Sequence, residues 1–314
     1  MKESYLYKKL ENNKVQCSTC SHRCFIAPEN FGICGVRKNI DGKLYALNYE
    51  RLVSECIDPI EKKPLFHFLP GTHSLSLATV GCNFRCGNCQ NWQISQSVKT
   101  NKSLLEIGQK LSPKEIVKNA IKNKCQSIAY TYTEPTIFLE YALDTMKLAK
   151  KKGIKNVWIT NGFMSNETLN MIAPYLDAMN VDLKSFDDEF YKTYCGARVG
   201  PILENLKQIK KLDIWNEVTT LIIPNLSDDE KMLENIAKFI FNELGSGTPW
   251  HVTAFSGAIS WKMHDIPDTP VEKIHKAYDI GKKAGLKYVY AGNIPGNSKE
   301  NTYCPKCNEL AIER

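Results

Sequence analysis

The chain has 314 residues, 43% hydrophobic and 24% charged, a composition that excludes a disordered or fibrous protein. Against 34 acidic residues stand 41 basic ones, a net charge of +7, but only six are Arg and the Lys residues are scattered, which describes a solvated surface and argues against a nucleic-acid partner. No apolar run approaches the roughly 18 residues that span a bilayer, and the opening MKESYLYKKLENNK lacks the apolar core of a signal peptide, so a cytoplasmic protein without a membrane partner is expected.

In chain order, residues 1–74 are loop-rich, carry four Cys within eighteen positions and end in the Pro-rich segment DPIEKKPLFHFLPG. They read as a small metal-binding, Cys-rich lobe with a linker. From residue 75 to 291 short apolar runs alternate with helical patterns, the signature of repeated βα units around a parallel sheet. The expected strands are 75–80, 127–132, 156–160, 178–183, 217–223, 250–255 and 287–290. Ser112, Pro113 and Glu115 predict a capped helix start, as do Thr269, Pro270 and Glu272, and Ser227 with Glu230. Six such units make a full or partial parallel barrel of the TIM type, or an open doubly wound sheet. Residues 292–314 form a loop-like tail that ends in CPKC.

Twelve Cys in a reducing compartment point to metal or cluster binding rather than disulfides. Cys56, Cys125 and Cys195 stand alone and read as buried small hydrophobes. Cys82, Cys86 and Cys89 form CxxxCxxC in TVGCNFRCGNCQNW, directly after the first predicted barrel strand, where the carboxyl end of a parallel strand opens onto the usual active-site face. Three thiolates can each take one iron of a [4Fe-4S] cubane and leave the fourth iron open, since no fourth Cys lies nearby in sequence. A structural zinc ion would want four ligands, and the nearest unassigned candidates, His67 and His73, lie across the predicted strand. Cys17, Cys20, Cys24 and Cys34 suffice for a closed tetrahedral zinc ion or a second iron–sulfur cluster. A competing arrangement joins Cys17 and Cys20 to Cys304 and Cys307 of the tail.

Taken together these residues resemble a known family. CxxxCxxC after the first strand of a βα barrel is similar to the radical S-adenosylmethionine (SAM) superfamily. The blocks CSTCSHRC, GICGVR, DPIEKKPLFHFLPG, TVGCNFRCGNCQNWQISQ, YVYAGNIPG and ENTYCPKC resemble the radical SAM member of the AmmeMemoRadiSam system, over nearly the whole chain. Glycyl-radical-enzyme activases, similar to pyruvate formate-lyase activating enzyme, would be the next relatives. The resemblance implies a partial or full parallel (β/α) barrel, a [4Fe-4S] cluster on Cys82, Cys86 and Cys89, and SAM chelated to the open iron. Its reductive cleavage would yield a 5′-deoxyadenosyl radical that takes hydrogen from a protein or small-molecule substrate.

It also implies site residues. YTYTEP places Thr133 and Glu134 where the superfamily's GGE-type motif meets the SAM amino group, with Tyr132 and Thr133 in place of two glycines. TNG supplies Asn161 and VDLK supplies Asp182 and Lys184, with Lys184 suited to the methionine carboxylate and Asp182 to a ribose hydroxyl or the amine. Family members carry an aromatic residue before the third cluster Cys, where this chain has Asn88, so the adenine contact would pass to the backbone or to Phe84. AFSGAISWKM holds no His, which leaves His251 as the nearer polar candidate. The implied partners are an electron donor such as flavodoxin or ferredoxin, and AMMECR-like and Memo-like proteins. The alternative functions are a glycyl-radical-enzyme activase and a non-catalytic zinc-binding module for RNA or protein.

Overall fold

The computed structural model describes residues 1–314. Its centre is one eight-stranded sheet: β1 (Ser54–Pro59), β2 (His73–Ala78), β3 (Ser127–Tyr130), β4 (Lys155–Thr160), β5 (Ala178–Asp182), β6 (Trp215–Ile222), β7 (Trp250–Ala254) and β8 (Val289–Gly292), ordered as in the chain. Strands β2 to β8 pair in parallel and β1 adds to β2 antiparallel. β1 and β8 do not pair with each other, so the sheet is a partial barrel. Parallel strands are buried on both faces, which is why most read as largely apolar runs, with buried polar residues such as Asn180 and Glu217 hydrogen-bonded to neighbouring segments. Between them lie α1 (Pro113–Lys122), α2 (Leu139–Lys151), α3 (Asn166–Ile172), α4 (Gly200–Lys211), α5 (Glu230–Phe239) and α6 (Val271–Lys283). A core of 64 buried residues runs between helices and sheet.

The seven expected barrel strands form within two residues of their predicted ends; β1, inside the expected linker, is an eighth. The capping box at Ser112 and Glu115 is present. The other two helix starts differ. Asp229, not Ser227, caps α5 by accepting from the Met232 amide, and the Ser227 hydroxyl instead accepts from the Ile223 amide. Thr269 does not cap α6, because its hydroxyl donates to the Ile222 carbonyl and ties the helix entry to β6.

Residues 2–46 fold into two small three-stranded antiparallel sheets around Val15, Cys17, Ile26 and Leu44. They dock on the barrel through backbone bonds of Ser21 and Ser165 with Phe163 and Thr19, and through one buried ion pair. Arg37, 2% exposed, donates to both Glu140 oxygens at 3.0 and 2.7 Å, and Glu140 lies on α2 with no exposure. The segment after β1 then crosses the amino-terminal halves of the strands. Ile60 and Leu65 pack on Ala129, Val157 and Ala178, and Glu217 of β6 accepts the amides of Phe66 and His67. That end of the barrel is filled, which leaves the carboxyl ends for a site.

Removing one member of a buried, bidentate pair strands a charge in a medium that solvates it poorly. Arg37→Met is expected to cost about 3–5 kcal/mol in urea unfolding. Arg23→Met, in the exposed pair with Glu167, should cost less than about 1 kcal/mol.

Candidate active site

Four segments from different parts of the chain meet at the carboxyl ends of β2 to β5: the loop 81–91, Tyr132–Glu134, Asn161–Gly162 and Asp182–Lys184. The loop has no helix or strand of its own before Trp92. Its backbone is satisfied from outside: the Gly81 amide donates to Ile94, the Arg85 amide to Cys195, the Gly87 amide to Tyr194, and Gly87 accepts from Lys262. Side chains do the rest. His22 meets the Asn83 carbonyl at 2.8 Å, while Gln96 and Lys99 donate to the Phe84 carbonyl at 3.1 and 2.6 Å. Met263 lies against Gly87, where any Cβ would come within 2.9 Å of its methyl group.

Cys82 and Cys86 are buried and Cys89 is half-buried. Burial raises the Cys82 and Cys89 thiols above the usual range, and Cys86 acts electrostatically on both. The Cys86 thiol is raised first by a hydrogen bond with Cys195 and then by burial. Two cations face these sulfurs. Burial alone would lower Lys184, but Asp182, at 2.8 Å, together with Cys86 and Cys195 raises it. Burial lowers Lys99, and Cys82, Cys34, Cys86 and Cys89 pull the other way. Thiols must lose protons to take up iron, and two ammonium groups reduce that cost.

Among the other expected residues, Thr133 donates to the Thr79 carbonyl at 2.9 Å. Glu134 has no exposure. Its Oε1 accepts from the Thr136 amide and hydroxyl and from Thr160, and its Oε2 from the Asn161 amide. The carboxylate therefore ties the ends of β3 and β4 together, and a contact with any ligand falls to the backbone beside it. Asn161 reaches the loop directly, its Nδ2 donating to Asn83 Oδ1 at 2.8 Å. Tyr132 stands in the left-handed region, φ 66°, where a glycine would be at ease. Its hydroxyl donates to Asp58 at 2.8 Å, and Lys63 packs over its ring.

Four expectations change. Cys56, expected as a buried small hydrophobe, is exposed. Phe84 is fully buried among Phe163 and Tyr191 and offers no free face to an adenine. His251 is buried against Glu217 at 2.7 Å, near the start of β7 and away from the loop. Cys195 is buried, as a small hydrophobe would be, but it packs on Cys86. Sequence spacing gave no signal for Cys195, Lys99 or His22, because each reaches the loop only through the fold. Cys304 and Cys307 sit together on an exposed turn, where the Cys307 and Lys306 amides lower the Cys304 thiol. They are not among the residues around Cys17, Cys20, Cys24 and Cys34, which do share one cavity.

Residues 76–240 match the sequence profile of the radical SAM superfamily. An uncharacterized protein of Methanocaldococcus jannaschii is 48% identical over all of this chain and 92% of its own length. A putative glycyl-radical enzyme activating enzyme of the same organism is 29% identical over 67% of this chain and 77% of its own. A radical SAM methyltransferase from Sphaerobacter thermophilus shares the fold, with a TM-score of 0.53 and 14% identity over 77% of this chain and 71% of that one. The chain belongs to the radical SAM superfamily, whose enzymes use a [4Fe-4S] cluster and S-adenosylmethionine.

The residues at the strand ends fit these groups. Three cysteines share one loop with two cations facing it, and two buried amide atoms of that loop, Asn83 Nδ2 and Asn88 Oδ1, have no protein partner. Buried polar atoms are rarely left unpaired unless a ligand or water completes them.

Glu134→Gln sets an amide NH₂ among four donors. It should cost about 1–3 kcal/mol in urea unfolding, whereas Thr133→Val, which removes one hydroxyl bond, should cost no more than about 1.5 kcal/mol.

Proposed function

We propose that Cys82, Cys86 and Cys89 hold a site-differentiated [4Fe-4S] cluster and that the strand ends around it bind S-adenosylmethionine. The observation that carries this reading is the meeting of the three-cysteine loop with YTYTEP, TNG and VDLK at one end of the sheet. When bound, the cluster and its sulfonium partner supply one-electron cleavage to methionine and a 5′-deoxyadenosyl radical, which takes hydrogen from a protein or small-molecule substrate. The chain's own part is to hold and shield. Lys184, steadied by Asp182, offers a cation to a carboxylate, and Lys99 offsets the charge of the thiolates from the far side of the loop. The backbone of Tyr132 and Thr133 presents carbonyls to an ammonium group, held in place by the Tyr132–Asp58 and Thr133–Thr79 bonds. With Phe84 committed to the core, the adenine contact falls to the loop backbone near Asn88. Phe84 and Met263 keep water from the loop's inner side.

The sequence blocks shared with the radical SAM member of the AmmeMemoRadiSam system support a finer reading: action alongside AMMECR-like and Memo-like proteins, with a flavodoxin or ferredoxin as electron donor, in the cytoplasm. The lobe, core and tail at 1–74, 75–291 and 292–314 are proposed as its functional divisions. A second reading, a glycyl-radical-enzyme activase, is favoured by the similarity to the putative activating enzyme. It requires a partner with a glycyl loop and an EPR-detectable glycyl radical after turnover.

Cluster-reconstituted protein with a strong reductant should form 5′-deoxyadenosine from S-adenosylmethionine under anaerobic conditions, and Cys86→Ala should form none. A protein that carries only zinc and forms no product would overturn the proposal and favour a binding module.

A further inference from the structure

The four cysteines of the lobe line a small, partly open cavity of about 10 Å³ with Ile26 and Arg37 in its wall. That is room for one atom-sized occupant, since a site for a single water needs roughly this volume. A cubane of four irons and four sulfides needs more room than this cavity has as it stands. No group of three or more His, Cys, Asp or Glu side chains is arranged to hold a metal ion as the structure stands, so an ion bound here would have to draw the four sulfurs together. Two observations give the occupant's chemistry. The donor set is all sulfur, which suits a soft or borderline divalent ion in a closed tetrahedron. Arg37, 2% exposed, lines the cavity and leaves its Nε–H without a partner, although its other nitrogens are bonded to Glu140 and Ser4. An unpaired buried donor beside four sulfurs fits a shell that carries net negative charge, as one divalent ion with four thiolates does.

The same lobe grips the cluster-bearing loop. His22, between Cys20 and Cys24, meets the Asn83 carbonyl. The Cys34 carbonyl and Val36 press on Gly81, where a Cβ would come within 2.9 and 2.5 Å of them. The loop also has no regular structure of its own to fix its course.

We propose that Cys17, Cys20, Cys24 and Cys34 enclose one zinc ion, and that the lobe it staples clamps the loop carrying Cys82, Cys86 and Cys89. The clamp rests on the reading of that loop as the cluster site; the zinc ion does not. Cys304 and Cys307 take no part. His22 acts as a positioning residue, through the Asn83 carbonyl.

The test uses the full chain with Cys82, Cys86 and Cys89 all changed to Ala, so that it stands apart from the cluster reading. One zinc per chain, with little iron, is expected. X-ray absorption at the zinc edge of the wild-type protein should show a sulfur-only shell near about 2.3 Å. Iron and sulfide retained by the triple variant, no bound metal, or zinc lost with Cys304→Ser and Cys307→Ser would each overturn the site. His22→Ala should keep its zinc while amide exchange over 82–91 quickens about tenfold, the scale of one lost hydrogen bond. Unchanged exchange there would overturn the clamp.

Discussion

A backbone that runs outside helix and strand must find a partner for each buried N–H and C=O, and the loop after β2 meets that demand almost entirely from elsewhere. Ile94, Cys195, Tyr194, Lys262, His22, Gln96 and Lys99 supply those partners, drawn from the lobe, the helical turns after the loop, the segment after β5 and the segment after β7. The position of three cysteines thus depends on most of the molecule. This explains why a short motif sits inside a chain of this length: the motif has the chemistry, and distant segments fix its course.

The strand ends beside it are held by side chains where a more permissive backbone would serve. Tyr132 keeps a left-handed conformation that disfavours an L residue by about 1–2 kcal/mol, offset by its bond to Asp58 and the stack under Lys63. Asp58 is itself bound by Lys62, Lys63 and Ser76, which together hold its carboxyl well below the usual range against the opposing effect of burial. Through this chain of contacts β1, the antiparallel strand, reaches the turn after β3. Glu134 does the equivalent between β3 and β4, as a carboxylate saturated by donors rather than one waiting for a ligand.

Much of this was legible in the sequence because it is local. The apolar runs gave the seven parallel strands, and CxxxCxxC marked the loop around which the other strand-end segments gather. What escaped depends on tertiary placement. β1 reads as linker because SECIDP carries two acidic residues and a Pro, tolerable on the open edge of a sheet and uninformative in isolation. Cys195 stands alone in sequence and meets Cys86 only because Arg85 and Gly87 pair with its segment. Phe84 carried an expectation of ligand contact that its neighbours Phe163 and Tyr191 overrule. Ser227 and Thr269 had the right residue types for caps, but a hydroxyl that can reach a strand is free to choose it.

The sheet is never closed: β1 and β8 leave its two ends unjoined. In a sealed ring of strands, widening the mouth means slipping a register and breaking ladder bonds. Here the open margin is spanned by side chains instead, with Tyr290 of β8 bonded to His67 of the segment after β1 and Arg314 of the tail donating to the Phe66 carbonyl. Changing the curvature at that margin would therefore break a few side-chain bonds rather than a strand ladder.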